Sequence, residues 1–268
     1  MPITLFIDNT SGTYTKVNQL GNQVLINLNP GVHLEKEKSY VLRVISAQIP
    51  YCFSNVFTDV NDKIYYTYKG VSYQMIFPQG IYSLSAINDE MSRQTNDNNN
   101  APYILGVQGD VANSSVYLVF NESTVTVNCN HSDSLLIKLG FPMSAGPIGP
   151  FAEQGTQYSL GNPAFLNSTS SILMSCDACE GSYKNGTSSS IVASMIINTT
   201  PFATIEYEPF NPPKINVSKF DIESLTFTLF NQNLEPLDLN SNSGTQAYEP
   251  WSAVIEIDEF DKKTGRLI

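Results

Sequence analysis

Charge is scarce in this chain of 268 residues. Only 15% of them are Asp, Glu, Lys or Arg, against about 25% in a typical globular domain. Asn, Ser, Thr and Tyr therefore cover the surface, which suits a protein enclosed by neighbours. Positive charge is scarcer still. Lys+Arg 14 against Asp+Glu 25 leaves a net −11, which excludes a broad nucleic-acid footprint, since that needs clustered cations. No apolar run approaches the roughly 20 residues of a membrane-spanning helix. The opening MPITLFIDN has neither the basic region nor the long apolar stretch of a signal peptide. The four cysteines, Cys52, Cys129, Cys176 and Cys179, are accordingly expected as reduced thiols. In that setting the several Asn-x-Ser/Thr sequons, for example at Asn113, Asn167, Asn185, Asn198 and Asn216, carry no message. Phosphate-binding glycine loops are missing too. So is any repeat of fixed period, which excludes a propeller or solenoid.

What the chain has is apolar residues at period two. It is 41% hydrophobic and 11% aromatic, enough for a substantial core. Ile3, Leu5 and Ile7 alternate along the chain, and Val24, Ile26 and Leu28 alternate with polar Gln23, Asn27 and Asn29, until Asn29-Pro30-Gly31 marks a stop. Tyr40–Ile49 is apolar on both faces apart from Arg43, which predicts a central strand ending at Pro50. Ile64–Tyr68 and Ser72–Phe77 flank Lys69-Gly70, a two-residue hairpin signal. Ser83 caps a predicted helix with Leu84, Ile87, Asn88 and Met91 on its face, ended by Asn96–Asn100. Tyr103–Val107, Val116–Phe120 and Thr124–Asn128 read as a meander. A second short helix, Ser134–Leu139, stops at Gly140, and Met143–Asn167 is irregular. Ile172–Cys176, Ile191–Asn198, Thr204–Glu208 and Lys214–Val217 are further strands. Ile222–Asp238 and Tyr248–Asp258 read as the two arms of a last hairpin, joined by a polar loop at Asn240–Gly244, and forming a sheet edge. About a dozen short strands and two short helices predict an all-β sandwich or barrel.

No complete catalytic constellation emerges. Cys176-Asp177-Ala178-Cys179 is a CxxC, but no second pair joins it as a zinc site would require, and the redox context is absent. The expectation is a strand end, with Cys176 buried and Cys179 in a turn. Cys129 and His131, two apart, share a face if the strand continues, yet nothing supplies an oxyanion hole. His33 reads as solvated. Glu206/Glu208 and Glu256/Asp258 are carboxylate pairs at spacing two, which acidic proteins place on wet faces. The acidic run ending at Asp261 precedes Lys262, Lys263 and Arg266. The chain therefore reads as a non-enzyme with no cofactor and no metal.

Four pieces in order carry a resemblance. They are the strand SYVLRVISAQIPYCF with Asn55-Val56 after it; Gly80-Ile81-Tyr82 leading into Leu84-Ser85-Ala86-Ile87-Asn88; Leu139-Gly140-Phe141; and Ile222–Asp238 with Pro250-Trp251. Together they resemble the minor capsid, or penton, proteins of virophages and of Polinton and Polinton-like viruses. The resemblance implies a single jelly-roll β-sandwich over 1–268, with an inserted or elaborated β region at approximately 100–200. It implies a structural protein of the virion, assembled inside the host cell. A homopentamer would close each five-fold vertex of an icosahedral shell built from a double-jelly-roll major capsid protein. Trp251, Tyr207 and Phe210 are the expected contact residues. The alternative is a glycan-binding β-sandwich module of spike or lectin type, with Met143–Asn167 as its recognition loop.

Overall fold

The structure is a computed structural model that describes residues 2–10, 15–99, 103–110, 114–166, 169–239, 249–261 and 266–267. Asn113, Asn167, the Asn240–Gly244 loop, Tyr248, Lys262 and Lys263 lie outside them. The chain divides into two compact units: Met1–Phe53 with Thr169–Ile268, and Ser54–Ser168. The elaboration expected at 100–200 thus straddles both. Its first part belongs to the second unit, and residues 169–200 supply strands of the first.

The first unit opens with β1 (Ile3–Asp8), β2 (Thr15–Val17), β3 (Gln23–His33) and β4 (Tyr40–Pro50). The second unit follows, with β5 (Lys63–Tyr68), β6 (Val71–Ile76), α1 (Leu84–Asn99), β7 (Leu105–Asp110), β8 (Ser115–Phe120), β9 (Val125–Asn128), β10 (Pro147–Ile148) and β11 (Thr156–Tyr158). The chain then returns as β12 (Ser171–Cys176), β13 (Cys179–Glu180), β14 (Ser182–Lys184), β15 (Thr187–Ser189), β16 (Ile191–Ile196), β17 (Thr204–Tyr207) and β18 (Ile215–Val217). It ends with β19 (Asp221–Asn231), β20 (Ser252–Asp261) and β21 (Arg266–Leu267).

The first unit is a two-sheet antiparallel sandwich. One sheet runs β1-β20-β4-β18-β13, with β17 also on β4 and β21 on β20; the other runs β16-β12-β19-β3-β2. Successive long strands change sheets: β3 to β4, β16 to β17, β19 to β20. This is the winding of a jelly roll, in which chain neighbours face each other across the core. Val44, Leu42, Ile255 and Ile257 from one sheet meet Val24, Met174, Leu225 and Phe227 from the other in a single buried cluster.

That winding corrects the expected last hairpin. β19 and β20 do not pair and neither is an edge. β19 lies between β12 and β3, and β20 between β1 and β4. Period-two alternation fixes which residues face the core but not which sheet a strand joins. β3 likewise continues beyond Pro30 to His33, opposite Asp221, across a register shift between Ile222 and Ser224. Pro30 lies past the stretch where β2 pairs, so its missing N–H breaks no bond to β2.

The second unit has its own core. β10-β9-β5-β6 and β11-β8-β7 form two sheets, and Ile64, Met75, Phe120, Val127 and Phe141 are buried with Ile87 and Met91 of α1. The Lys69-Gly70 turn has φ values of 49° and 80°, the doubly left-handed pair of a tight hairpin. Ser83 Oγ accepts from Ala86 N at 3.1 Å, capping α1. The helix runs on to Asn99, past its expected end, and Asn99 Nδ2 donates to the Tyr66 hydroxyl at 2.7 Å. The expected second helix is a 3-10 turn, Leu135–Ile137, with Ser134 accepting from Leu136 N. At Gly140, φ is +91° and a Cβ would lie 2.7 Å from the Asn162 carbonyl, so only glycine fits there. The expected meander is only half formed, because β7 and β8 pair while β9 joins β5.

Lys63 sits among carboxylates. Its Nζ lies 2.8 Å from Asp59, 3.0 Å from Asp133 and 3.7 Å from the buried Asp62. Tyr65 also donates to Asp133 at 3.0 Å. Burial alone would raise the Asp133 carboxyl, but the bonds from Lys63 and Tyr65 outweigh it and hold the group below the usual carboxylate range. A depressed folded pKa contributes stability that is present above the unfolded value and lost as pH falls through the folded one. The urea midpoint of the second unit should therefore drop below about pH 4. Asp133→Asn should flatten that drop. An unchanged acid profile in the variant would remove Asp133 from the account.

Candidate functional site

The thiols are poor candidates for chemistry. Cys176 ends β12 and Cys179 begins β13, both inside the sandwich core. Cys179 is in a strand rather than the expected turn, because the two-residue turn Asp177-Ala178 carries the chain from one sheet to the other. Its hydrogen bond with Cys176, followed by burial, pushes its thiol up. Burial, with Glu249 nearby, pushes Cys52 up to about 12, and burial pushes Cys129 up to about 11. Thiols so shifted stay protonated at neutral pH and are weak nucleophiles and ligands. Among the described residues, no group of three His, Cys, Asp or Glu side chains is placed to hold a metal ion.

His131, Glu256, Asp258 and His33 have structural partners. His131 stacks on Tyr65 with centroids 3.7 Å apart, while Cys129 is buried in the second core. The strand stops at Asn128, so the alternation that would align them does not hold. Glu256 and Asp258 both bind Arg43 Nη2 at 2.7 Å. His33 Nδ1 lies 2.9 Å from Asp221, at the exposed end of β3.

The three expected contact residues fall in three different environments. Trp251 is 1% exposed and belongs to the core. Its Nε1 donates to the Gly21 carbonyl at 2.9 Å and its N to Asn9 Oδ1 at 2.8 Å. Asn9 Nδ2 in turn donates to the carbonyls of Gly21 and Glu249. A ring enclosed in this way offers no surface to a second molecule. Tyr207, on β17 opposite Ala47, is half-buried against the core. Phe210 is 106% exposed, in the segment EPFNPPK, where Pro209, Pro212 and Pro213 stiffen the backbone.

Phe210 has company. Phe6 is 81% exposed, on the wet phase of β1 beside Val254 of β20. Its ring walls a groove of about 330 Å³ on the outer face of the first sheet, with Asp8, Ser46, Gln48, Glu208 and Val254. Glu208, in the lining, is two residues before Phe210 in the chain. Phe202, before β17, is also 81% exposed. The sequence does carry a signal for Phe6: an aromatic residue sits where the Ile3-Leu5-Ile7 alternation calls for a polar one.

No family model and no curated protein matches the sequence. Among solved structures, the chain is similar to the selenomethionine-labelled mavirus penton protein, at 10% identity and a TM-score of 0.49, covering 97% of this chain and 100% of that chain.

Proposed function

We propose that the chain is a non-enzymatic structural subunit of a virion, assembling as a homopentamer at the five-fold vertices of an icosahedral shell beside a major capsid protein. The ordered motifs from Ser39 to Asp258 support this reading, and so does the jelly-roll sandwich. The observation that carries it is a pair of exposed aromatics on the first unit, Phe6 on the outer face of its first sheet and Phe210 in the segment after β17. Both are almost wholly in water in one copy, and Phe6 walls a groove of mixed polar and apolar lining. Exposed aromatics beside a depression are the anatomy of a contact surface. A repeated head-to-tail contact with a five-fold rotation closes a ring.

The test separates assembly from folding. Phe6→Ser with Phe210→Ser removes side chains that contribute little to the single copy, so the denaturant midpoint should move by no more than about 0.5 kcal/mol. Each ring is expected to contribute about 2 kcal/mol to the subunit contact, so the double variant should sediment as a monomer at concentrations where the parent is a ring. A variant that assembles like the parent would remove this face from the contact.

A further inference from the structure

The second unit carries a pocket that the shell role leaves unused. It has a volume of about 260 Å³ on the outer face of the β7–β8 pair, and none of its eight lining residues is charged. Gly106 and Val119, opposite each other in register, lie at the pocket with Gln108. Asn88 comes from α1, and Tyr103 and Asn121 come from the chain ends flanking the two strands.

Each polar group is held by one bond and keeps capacity for another. Asn88 Oδ1 accepts from Val107 N at 3.0 Å, which leaves its Nδ2 as a donor. Gln108 Oε1 accepts from Gln157 Nε2 at 2.9 Å, leaving the Gln108 amide NH2. Asn121 Nδ2 donates to the Tyr103 carbonyl at 2.7 Å, leaving its Oδ1 as an acceptor. The lining thus offers both donors and acceptors without a formal charge. A Cβ at Gly106 would lie 2.8 Å from Asn88 Oδ1, so a side chain there would push the Asn88 amide aside.

Tyr103 supplies the remaining part. It is 60% exposed and holds φ at +62°, a conformation that costs a non-glycine residue energy. Asn121 holds the backbone on the C-terminal side of Tyr103, donating from its side chain to the Tyr103 carbonyl and from its N to the Ile104 carbonyl at 3.0 Å. The ring is therefore presented at the pocket instead of being folded into the core.

We infer that this pocket binds a neutral pyranose sugar. A sugar hydroxyl both donates and accepts, which matches an amide lining. The C–H face of the ring carries partial positive charge and meets the negative face of an aromatic ring. The volume accommodates one ring and a substituent, below the usual size of a drug-like site. The absence of charge in the lining disfavours sialylated or sulfated sugars, whose anionic groups need a cation or several donors.

Saturation-transfer NMR on the full chain tests this directly. The probes are the methyl glycosides of glucose, galactose and mannose, N-acetylglucosamine, and sialyllactose as the charged control. At least one neutral sugar should receive saturation, with its C–H face closest to the protein. Tyr103→Asn removes the ring and keeps a residue that tolerates positive φ; affinity should fall by about tenfold or more. Gln108→Ala should weaken the same sugar, and Tyr183→Ala, in the first unit, should leave it unchanged. The inference is overturned if no neutral sugar is saturated. It is equally overturned if binding survives both Tyr103→Asn and Gln108→Ala, or if sialyllactose alone binds. The readout needs no shell, so it stands or falls separately from the vertex role.

Discussion

Trp251→Ala should destabilise the sandwich unit by about 3–5 kcal/mol, the range for removing a large buried aromatic side chain. The ring is the largest fully buried side chain of the chain, and the residue ties three segments together. Its Nε1 holds the Gly21 carbonyl, its backbone N holds Asn9, and Asn9 holds Glu249. The loss should exceed that of a cavity in one strand, since the ends of β1 and β20 meet here. Trp251→Phe fills most of the space and loses only the Nε1 bond, while Asn9 Nδ2 still serves the Gly21 carbonyl, so it should cost only about 1 kcal/mol. Urea unfolding followed by near-ultraviolet circular dichroism reads both. The ordering Ala well below Phe, and Phe below the parent, is the expected result. Equal midpoints for Trp251→Ala and the parent would show that the residue does not anchor this unit.

Arg43→Met should be nearly as damaging. Arg43 is the one charge on the central strand β4, with its side chain 17% exposed, and it bridges Glu256 and Asp258 of β20. Asp258 is the more enclosed partner, at 7% side-chain exposure. Removing the guanidinium leaves that carboxylate uncompensated, at a cost of about 3–5 kcal/mol. Removing the acid as well relieves the penalty, so Arg43→Met with Asp258→Leu should recover most of the loss. A chemical denaturation series on the two single variants and the double variant completes the cycle. Simple additivity of the losses would mean that the three groups do not act as a unit. In this arrangement both carboxylates of the Glu256/Asp258 pair are held by one arginine.

The local features were legible because each has a local cause. Lys69-Gly70 makes a two-residue turn since both positions take positive φ. Ser83 and Ser134 cap their helices with their own oxygens. Tyr40–Pro50 is central because it is apolar on both faces, and its one charge finds partners on the next strand. What the sequence did not reveal is non-local. Alternation in Leu225-Phe227-Leu229 and Ala253-Ile255-Ile257 announces two strands, yet nothing in either specifies opposite sheets. β9 follows β8 closely in the chain but pairs with β5, some sixty residues earlier. Trp251 was expected at a contact, and its burial in the core depends on Gly21 and Asn9, which claim its polar atoms from distant parts of the chain. Phe6 was visible as an aromatic on the wrong phase of its strand, whereas the Tyr103 pocket depends on α1 placing Asn88 over Gly106. No spacing along the chain encodes that juxtaposition.

The vertex role turns on the number of copies in the assembled particle. Native mass spectrometry of the purified chain, taken across a range of concentrations, measures that number without a shape assumption. The expected species has a mass of about 148 kDa, five times the 29.6 kDa chain, and the Phe6→Ser, Phe210→Ser variant loses it. A mass that settles at two or four copies, or stays at one copy throughout, would contradict the vertex role.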